Sequence, residues 1–240
     1  MSLVWLLSLP LQNSSIVDIF WGTGFVVAAG TYFLLAEGHE SRKWLVLALT
    51  AVWGLRLSIY LLWRNGLPKE DFRYRKWREE TGTSYWWKSY FRVNLLQGTI
   101  LWLVSAPLLA AQLGDHNLNV LDLLGIMVWA VGLLFESVGD FQLARFKSDP
   151  ANKGQVLDTG LWRYTRHPNY FGDAVTWIGF YLIALAAGGW WSFYGTALMV
   201  YLLMKVSGVA MLERTLVQTK PQYAEYIRRT NAFFPGRPKS

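Results

Sequence analysis

The sequence predicts an all-α integral membrane protein, a bundle of six transmembrane helices forming a single domain over residues 1–240. Of the 240 residues, 53% are hydrophobic and 16% are charged. A soluble domain would have a charged share of about a quarter. The hydrophobic residues gather into runs of about 20, the length that crosses a bilayer. The chain has no cysteine, which excludes disulfides and thiolate-based metal sites.

Six segments are predicted to span the membrane because each is long and mostly apolar. They are Ile16–Ala36, Trp44–Trp63, Val93–Leu113, Val120–Gly139, Tyr170–Ala187 and Trp191–Leu212. A seventh span within residues 1–12 is the alternative. These residues are apolar, but they are too short to cross alone and lack the basic start of a signal peptide. An interfacial segment is therefore the favoured interpretation of residues 1–12.

The loops between these segments fall into two charge classes. Eight Lys or Arg lie in Arg64–Arg92, five in Asp140–Tyr170 and six after Glu213, whereas Gly114–Asn119 and Gly188–Trp190 contain none. The positive-inside rule places the basic regions in the cytoplasm and, with six spans, both termini as well. We therefore expect an integral protein of a bacterial inner membrane or an equivalent membrane.

The formal charge of +7 lies in short loops and not along one exposed face, so nucleic acid is not an expected partner. Membrane lipids with anionic headgroups or a phosphorylated cofactor fit better, and no metal ion is expected. One basic pair, Arg42-Lys43, falls on the opposite side from the other basic regions.

Ionisable residues within the spans are candidates for function, because each must face protein, water or a ligand. They are Asp18, Arg56, Glu136, Asp140, Asp173 and Lys205. Glu136 and Asp140 are four residues apart and so share one helical face, where a structural ion-pair network is the alternative to a binding site. Arg56, Tyr60 and Arg64 share a second face, although Arg64 is close enough to the interface to snorkel.

The stretch Arg163–Asp173 carries the most specific pattern in the chain. Pro168 suits the first position of a helix, so the fifth span should begin near His167. The N–H groups at such a helix start form an anion site, to which Arg163 and Arg166 add phosphate donors.

Asn169 and Asp173 would share the next face of this helix and offer an amide and a carboxylate to a nucleotide. A basic loop that binds lipid headgroups is the alternative. After Glu213, the tail carries Tyr223 and Tyr226, and it reads as an amphipathic helix lying on the cytoplasmic surface with its aromatic residues toward the membrane. Such a helix would also be well placed as a lid.

The motif Leu-Trp-Arg-Tyr-Thr-Arg-His-Pro-Asn-Tyr-Phe-Gly-Asp, at 161–173, resembles the signature of the DUF1295 family within the steroid 5α-reductase and sterol C14-reductase superfamily. The likeness extends to Glu136-x-x-x-Asp140-x-Gln-Leu-x-x-Phe-Lys147 and to the Glu-Asp-Phe-Arg-Tyr run at Glu70–Tyr74. It implies a membrane oxidoreductase of lipid metabolism that uses NADP cofactors, here NADPH, to reduce a C=C bond of a lipid-like or steroid-like enone. The cofactor-binding residues expected on this basis are Glu136, Asp140, Lys147, Arg163, Tyr164, Arg166, His167, Asn169, Tyr170, Asp173, Glu213 and Tyr223.

The resemblance leaves the proton donor open. Steroid 5α-reductases polarise the substrate carbonyl with a Gln-Glu pair and a Tyr, but this chain has no Gln-Glu pair and carries Trp53 near the position of that Tyr. The catalytic candidates are Asp18, Tyr60 and Glu37. The substrate candidates are Trp21, Trp53 and Arg56.

Two other functions stay open. Membrane methyltransferases that use S-adenosylmethionine carry a related Arg-His-Pro segment, but with two adjacent glutamates where this chain has Glu213-Arg214. A lipid-binding membrane protein without enzymatic activity is the third possibility, because the reductase acids are missing.

Overall fold

The computed structural model describes residues 1–67, 69–206 and 209–239, with the backbone alone at 210–212, 214 and 215. Within these ranges all regular secondary structure is helical, which confirms the predicted all-α class. The α-helices are α1 Ser2–Leu11, α2 Ile16–Leu35, α3 Glu40–Asn65, α4 Phe72–Thr81, α5 Tyr85–Ser89, α6 Leu96–Val104, α7 Ala106–Leu113, α8 Val120–Ser148, α9 Pro168–Ala186, α10 Phe193–Tyr201, α11 Val209–Thr219 and α12 Tyr223–Arg229. Single turns of 3₁₀-helix occur at Gly82–Ser84, Pro150–Asn152, Gly160–Arg163 and Trp190–Ser192, and π-helical turns at Tyr90–Leu95 and Leu202–Val206.

Four helical stretches in the described ranges are long and apolar enough to cross a membrane. They are Ile16–Leu35, Glu40–Asn65, Phe72–Leu113 and Val120–Ser148. They coincide with the first four predicted spans and agree with an integral membrane protein. The third stretch begins well before the predicted Val93, because the basic segment after Arg64, which we expected to be a loop, is largely helical.

The last two predicted spans, Tyr170–Ala187 and Trp191–Leu212, coincide with α9 and with the helical region from α10 into α11. Neither is among the four stretches found in the described residues, so a total of six crossings stays a prediction. Helix α1 has ten residues and rises about 15 Å, half of a hydrocarbon layer of roughly 30 Å. By itself, α1 is therefore too short to supply a seventh crossing.

Residue contacts divide the chain into two compact units, Met1–Asn117 and Leu118–Ser240. In the first unit α2 and α3 approach closely, since a Cβ placed on Gly22 would lie 2.1 Å from the Gly54 carbonyl oxygen. The fully buried rings of Phe25 and Trp53 pack beside this contact with their centroids 5.5 Å apart. Whether the chain is the single domain that we expect stays a prediction.

In the second unit α8 and α9 pack through facing glycines. A Cβ on Gly172 would lie 2.3 Å from the backbone nitrogen of Glu136 and 2.6 Å from the Gly132 carbonyl oxygen. Small residues let helix backbones meet at this distance, which is how membrane helices gain packing contacts. The contact fixes the start of α9 against the cytoplasm-facing half that we predict for α8.

Arg42 explains the one basic pair that departs from the predicted charge pattern. Its side chain is fully buried, and its guanidinium donates hydrogen bonds to the carbonyl oxygens of His116, at 2.8 Å, and Asn117, at 3.0 Å. Lys43 donates to the Ala36 carbonyl oxygen at 2.6 Å. Both cations therefore bind loop carbonyls at the end of their own helix.

Candidate functional site

The start of α9 is built as the sequence predicts. His167 occupies the N-cap position and Pro168 the first helical position. The preceding 3₁₀ turn is held on α8 by the Trp162 indole, which donates its Nε1–H to the Gly139 carbonyl oxygen at 3.1 Å. The Arg-His-Pro motif therefore sits directly on the helix that carries Glu136 and Asp140.

Asp140 and Asn169 meet at this helix start. The Asn169 side chain donates its Nδ2–H to Asp140 Oδ1 at 3.1 Å, and its Oδ1 accepts the Tyr170 backbone N–H at 3.1 Å. Asp140 is buried, whereas Asn169 is half-buried. The structure thus brings together the carboxylate and the amide that the sequence assigned to facing walls of one site.

Two more carboxylates are buried in the same helix pair. Glu136 lies one turn before Asp140 on α8, and Asp173 lies one turn after Asn169 on α9. A buried carboxylate needs hydrogen-bond donors or cations close by. The pair α8–α9 therefore concentrates acceptor groups, which suit the hydroxyl or amide hydrogens of a ligand better than its phosphates.

Arg166, which we predicted to bind an anion, has partners within the protein. Its guanidinium is buried and donates through Nε to Glu213 Oε1 at 2.7 Å and through Nη1 to the carbonyl oxygens of Ile227, at 3.2 Å, and Thr230, at 2.5 Å. These contacts engage Nε and Nη1 within the protein, and the Arg166 side chain is buried. That Arg166 binds a phosphate stays a prediction.

His167 belongs to the same network. Its Nε2 lies 3.1 Å from Glu213 Oε1, and its ring stacks on Tyr170 with a centroid distance of 5.7 Å and an interplanar angle of 14°. Partial burial raises the pKa of the Glu213 carboxyl, but hydrogen bonds from His167 and Arg166 outweigh this and lower the pKa to about 2. Glu213 is therefore an anion at neutral pH and cannot act as an acid there.

Three predicted cofactor residues remain at the surface. Lys147, in the last turn of α8, and both Arg163 and Tyr164, before α9, are exposed. Arg163 and Tyr164 precede the N-cap His167 by four and three residues, so they lie close to the start of α9 along the chain. Of the two arginines in the motif, Arg163 is thus the exposed one.

The tail closes over the Arg-His-Pro segment. The Arg166 N–H donates to the Asn231 carbonyl oxygen at 2.9 Å, the Thr165 hydroxyl donates to that of Phe233 at 2.8 Å, and the Tyr226 hydroxyl donates to the Trp162 carbonyl oxygen. We expected the tail aromatics to face the membrane. For Tyr223, Tyr226 and Phe233 this is wrong, because all three are buried against protein. Phe234, which is 69% exposed, keeps the expected surface position.

Asp18, the first catalytic candidate, lies in the first turn of α2 and is partly exposed. The Tyr74 hydroxyl donates to Asp18 Oδ1 at 3.2 Å, and the Arg73 guanidinium lies 3.6 Å from Asp18 Oδ2. Both partners come from the Glu-Asp-Phe-Arg-Tyr run that contributes to the family resemblance. Asp18 therefore has a phenol and a cation on its two oxygens.

Glu37 does not share a site with Asp18. It is exposed in the turn after α2, 19 residues beyond Asp18, and a helix of that length rises about 28 Å. The two carboxylates thus lie at opposite ends of one helix. Glu37 therefore stays a catalytic candidate from the sequence alone, at a place separate from Asp18.

The other candidates of the first unit occupy different environments. Tyr60 is half-buried, and the Arg64 guanidinium lies 5.4 Å from the centre of its ring. Arg56 is half-buried one turn earlier on α3. Trp21 donates its indole N–H to Gln97 Oε1 at 2.7 Å. Trp53 is fully buried in the α2–α3 core, which places it away from a substrate that approaches through the lipid.

Sequence reasoning missed the residues that join distant segments. The backbone N–H of Ser14 donates to Glu70 Oε1 at 2.7 Å, and Arg78 binds the same carboxylate at 2.8 Å. Thr165 and Asn231 were not singled out either, although they fasten the tail. In the sequence, Glu70 and Tyr74 stood out only as members of the Glu-Asp-Phe-Arg-Tyr run that contributes to the family resemblance. That resemblance does not indicate which residues they contact.

Comparison with known proteins agrees with these features. A family model described as "Protein of unknown function (DUF1295)" matches residues 4–230. An uncharacterized protein of Schizosaccharomyces pombe is 24% identical over 98% of this chain and 76% of its own length. A probable O-methyltransferase of Ustilaginoidea virens is 34% identical, but over only 36% of this chain and 29% of its own length. No solved structure gives a significant match. The chain therefore belongs to the DUF1295 family.

Proposed function

We propose that the protein is a membrane-embedded enzyme that binds NADPH at the start of α9 and transfers a hydride to a C=C bond of a lipid-like enone. The observation that carries the proposal is the hydrogen bond between Asn169 Nδ2 and Asp140 Oδ1, within a motif that resembles the cofactor segment of sterol reductases. The adjacent amide of Asn169 and carboxylate of Asp140 can hydrogen-bond to the ribose hydroxyls and the carboxamide of a nicotinamide nucleotide.

The surrounding residues fit this cofactor in part. Arg163 is exposed four residues before the N-cap of α9, and a phosphate at that helix start is favoured by the N–H groups and by the positive end of the helix dipole. The buried acids Glu136, Asp140 and Asp173 favour the uncharged, hydrogen-bonding parts of the nucleotide. Arg166 does not fit as a phosphate donor, since Glu213 and tail carbonyls hold its guanidinium.

In this reaction the cofactor supplies the hydride, and the protein positions the reactants and excludes water. Asn169 and Asp140 would orient the nucleotide, and the bilayer would deliver the substrate. For the proton, Asp18 stays the first candidate from the sequence, although the hydrogen bond that its Oδ1 accepts from the Tyr74 hydroxyl favours the ionised carboxylate over the acid. Tyr60 remains the second candidate. Glu213 is not a proton donor, because its lowered pKa keeps it ionised at neutral pH.

Methyl transfer from S-adenosylmethionine is the second candidate function. It is favoured by the partial relative that is named as a probable O-methyltransferase. An ionised carboxylate such as Glu213 also suits a sulfonium or ammonium group. Its Oε1 is already shared between Arg166 and His167, however, so this function needs Glu213 to accept a ligand cation as well.

Ligand-induced stabilisation of the detergent-purified protein distinguishes the two functions. We expect NADPH to raise the melting temperature, because a ligand at about 100 times its Kd stabilises the folded state by roughly 2.7 kcal/mol. NADH and S-adenosylmethionine serve as the competing ligands. Asn169→Ala should abolish the shift while leaving the unliganded protein folded.

Asn152→Ala, a substitution in the loop after α8, is the matched control and should keep the shift. Stabilisation by S-adenosylmethionine alone would replace the reductase with the methyltransferase. If none of the three ligands had an effect, a lipid-binding protein without enzymatic activity would be the better description.

A further inference from the structure

A cavity of about 290 Å³ lies in the first unit, and none of the candidate residues discussed above lines it. Its lining includes Ser2, Tyr90, Asn94, Gly98, Thr99 and Trp102. Met1 and Leu95 complete the lining. The Tyr90 phenol and the Met1 amino group are its ionisable groups among the described residues, and no carboxylate, lysine or arginine side chain is present, so the cavity suits a ligand without a strongly charged headgroup. Its volume is near the lower end of the range for small-molecule sites.

Asn94 is the unusual residue of this cavity. It is 1% exposed, yet neither its Nδ2 nor its Oδ1 has a hydrogen-bond partner among the described residues. A buried amide left unpaired is costly, so native proteins nearly always give it a partner, a ligand or an ordered water. Asn94 also lies in the π-helical turn Tyr90–Leu95, and such turns in α-helices occur frequently at functional sites.

The position of Asn94 along its helix indicates what kind of molecule could reach it. Leu113, at the far end of this span, is 19 residues later, which corresponds to about 28 Å of helix and nearly the whole hydrocarbon layer. Asn94 therefore lies near the opposite boundary, next to the exposed Trp86 and Trp87 that suit a headgroup layer. A ligand group at Asn94 would be at the depth of a lipid headgroup.

The apolar part of the cavity runs inward from that boundary. Asn94, Gly98 and Trp102 follow each other at four-residue spacing, so they lie along one face of the helix. Gly98 has no side chain to fill the groove, and the Met1 side chain covers it, 3.1 Å from where a Cβ on Gly98 would lie. Trp102 is 63% exposed and so borders the lipid.

We propose that this cavity binds one neutral, single-chain lipid that carries a hydroxyl group. The hydroxyl donates its hydrogen to Asn94 Oδ1 and accepts one from Nδ2, which satisfies both halves of the amide at once. The alkyl chain lies along Gly98 toward Trp102. This site requires no nucleotide and is independent of the cofactor proposed above.

Photolabelling in phosphatidylcholine nanodiscs tests this site. The probe is a hexadecanol analogue with a mid-chain diazirine, with unlabelled hexadecanol as competitor. We expect saturable labelling of residues 95–102 in the wild type and at least about tenfold less in Asn94→Leu, the effect of losing two hydrogen bonds. Thr99→Val is the matched control. It lines the same cavity, and its hydroxyl is already bonded to the Leu95 carbonyl oxygen, so labelling should stay within about twofold.

Three results would overturn the proposal. Equal labelling of Asn94→Leu would mean that the amide does not hold the probe, and absence of saturable labelling would mean that water fills the cavity. Equal labelling by the methyl ether of the probe would show that no hydroxyl hydrogen is donated. Asn94→Leu should fold, because an apolar side chain replaces an unpaired amide. If Asn94→Leu does not fold, Gly98→Leu tests the site instead. The added side chain fills the groove against the flexible Met1 side chain and should also abolish labelling.

Discussion

Arg163 and Arg166 lie three positions apart in one motif and have different environments. The Arg166 guanidinium is buried and bound to Glu213 and to the carbonyl oxygens of the tail, whereas Arg163 is exposed. Breaking a buried charge pair by removing one partner is strongly destabilising, since the other charge is left unpaired. Arg166 is therefore a residue that fastens the tail, and Arg163 is the accessible cation.

Arg166→Gln should loosen the tail. Without the guanidinium, the Thr230 carbonyl oxygen loses its donor and Glu213 keeps only His167, at a cost of up to about 3–5 kcal/mol for a broken buried pair. Hydrogen exchange of residues 223–236 should become faster. Arg163→Gln, the control, should leave this exchange unchanged and weaken nucleotide binding instead. Identical exchange in the two variants would contradict the assignment.

The Glu213 contact should also depend on pH. Because its pKa is lowered from 4.5 to about 2 in the folded protein, the contact stabilises the fold fully above pH 4.5. That contribution is lost as the pH falls through 4.5 toward 2. The groups that face the carboxylate are Arg166, His167 and Tyr223.

Tail exchange in the wild type should thus be slow from pH 5 to 8, after correction for intrinsic rates, and should approach that of Glu213→Gln toward pH 2. The protonated carboxyl and the amide of Gln then make comparable contacts. A constant difference between the two proteins down to pH 2 would rule out this linkage.

Helices α8 and α9 form the element that positions the candidate site. Their backbones meet through Gly132 and Gly172, and this contact sets the distance between Asp140 on one helix and Asn169 on the other. Because the atoms that approach Gly172 belong to the backbone of α8, they cannot move aside as a flexible side chain would. The site geometry therefore depends on residues that carry no functional group.

Gly172→Ala should destabilise the protein. Its Cβ would lie 2.3 Å from the Glu136 nitrogen, and overpacking of this kind costs about 1–3 kcal/mol. Gly30→Ala in α2 is the matched control, because a Cβ there meets nothing within 4 Å. At that position alanine should gain up to about 1 kcal/mol of helix propensity. Thermal unfolding in detergent measures both, and a melting temperature for Gly172→Ala at or above that of the wild type would contradict the close packing.

At the scale of the whole molecule, basic residues and apolar helices define an orientation. The basic segments follow Arg64, Asp140 and Glu213, and the uncharged or acidic turn Gly114–Asn119 lies between the third and fourth spans. The exception, Arg42-Lys43, is bound to loop carbonyls at the end of its helix. The charge pattern therefore predicts that the C-terminal region lies in the cytoplasm and the turn after α7 on the other side of the membrane.

Single cysteines test this orientation, since the chain has none of its own. Asp115→Cys should react with a membrane-impermeant maleimide only from the outer side. Arg237→Cys should react only after the cytoplasmic side is made accessible. If both cysteines reacted from the same side, residues 115 and 237 would lie on one side of the membrane. The predicted three crossings between them would then be wrong. Permeabilised cells, in which both should react, provide the control.

The sequence by itself determined the helical membrane class, the positions of the long apolar helices and the start of α9 at Pro168. These features depend on local chemistry, namely apolar length and the missing N–H of proline. The sequence also identified the Arg163–Asp173 segment and the residues Asp140 and Asn169. Each of the two has another polar residue four positions away, and the motif resembles that of a known family, so both signals can be read from the sequence.

Only the tertiary structure decided which partner each polar group has. Arg166 binds the tail, Asp18 binds Tyr74 and Arg73, and the Asn94 amide at the cavity has no partner among the described residues. These pairs join segments up to 64 residues apart, as the bond from Arg166 to Thr230 does. A charged side chain shows its chemistry in the sequence, but whether it faces a ligand or another segment depends on which helices pack together.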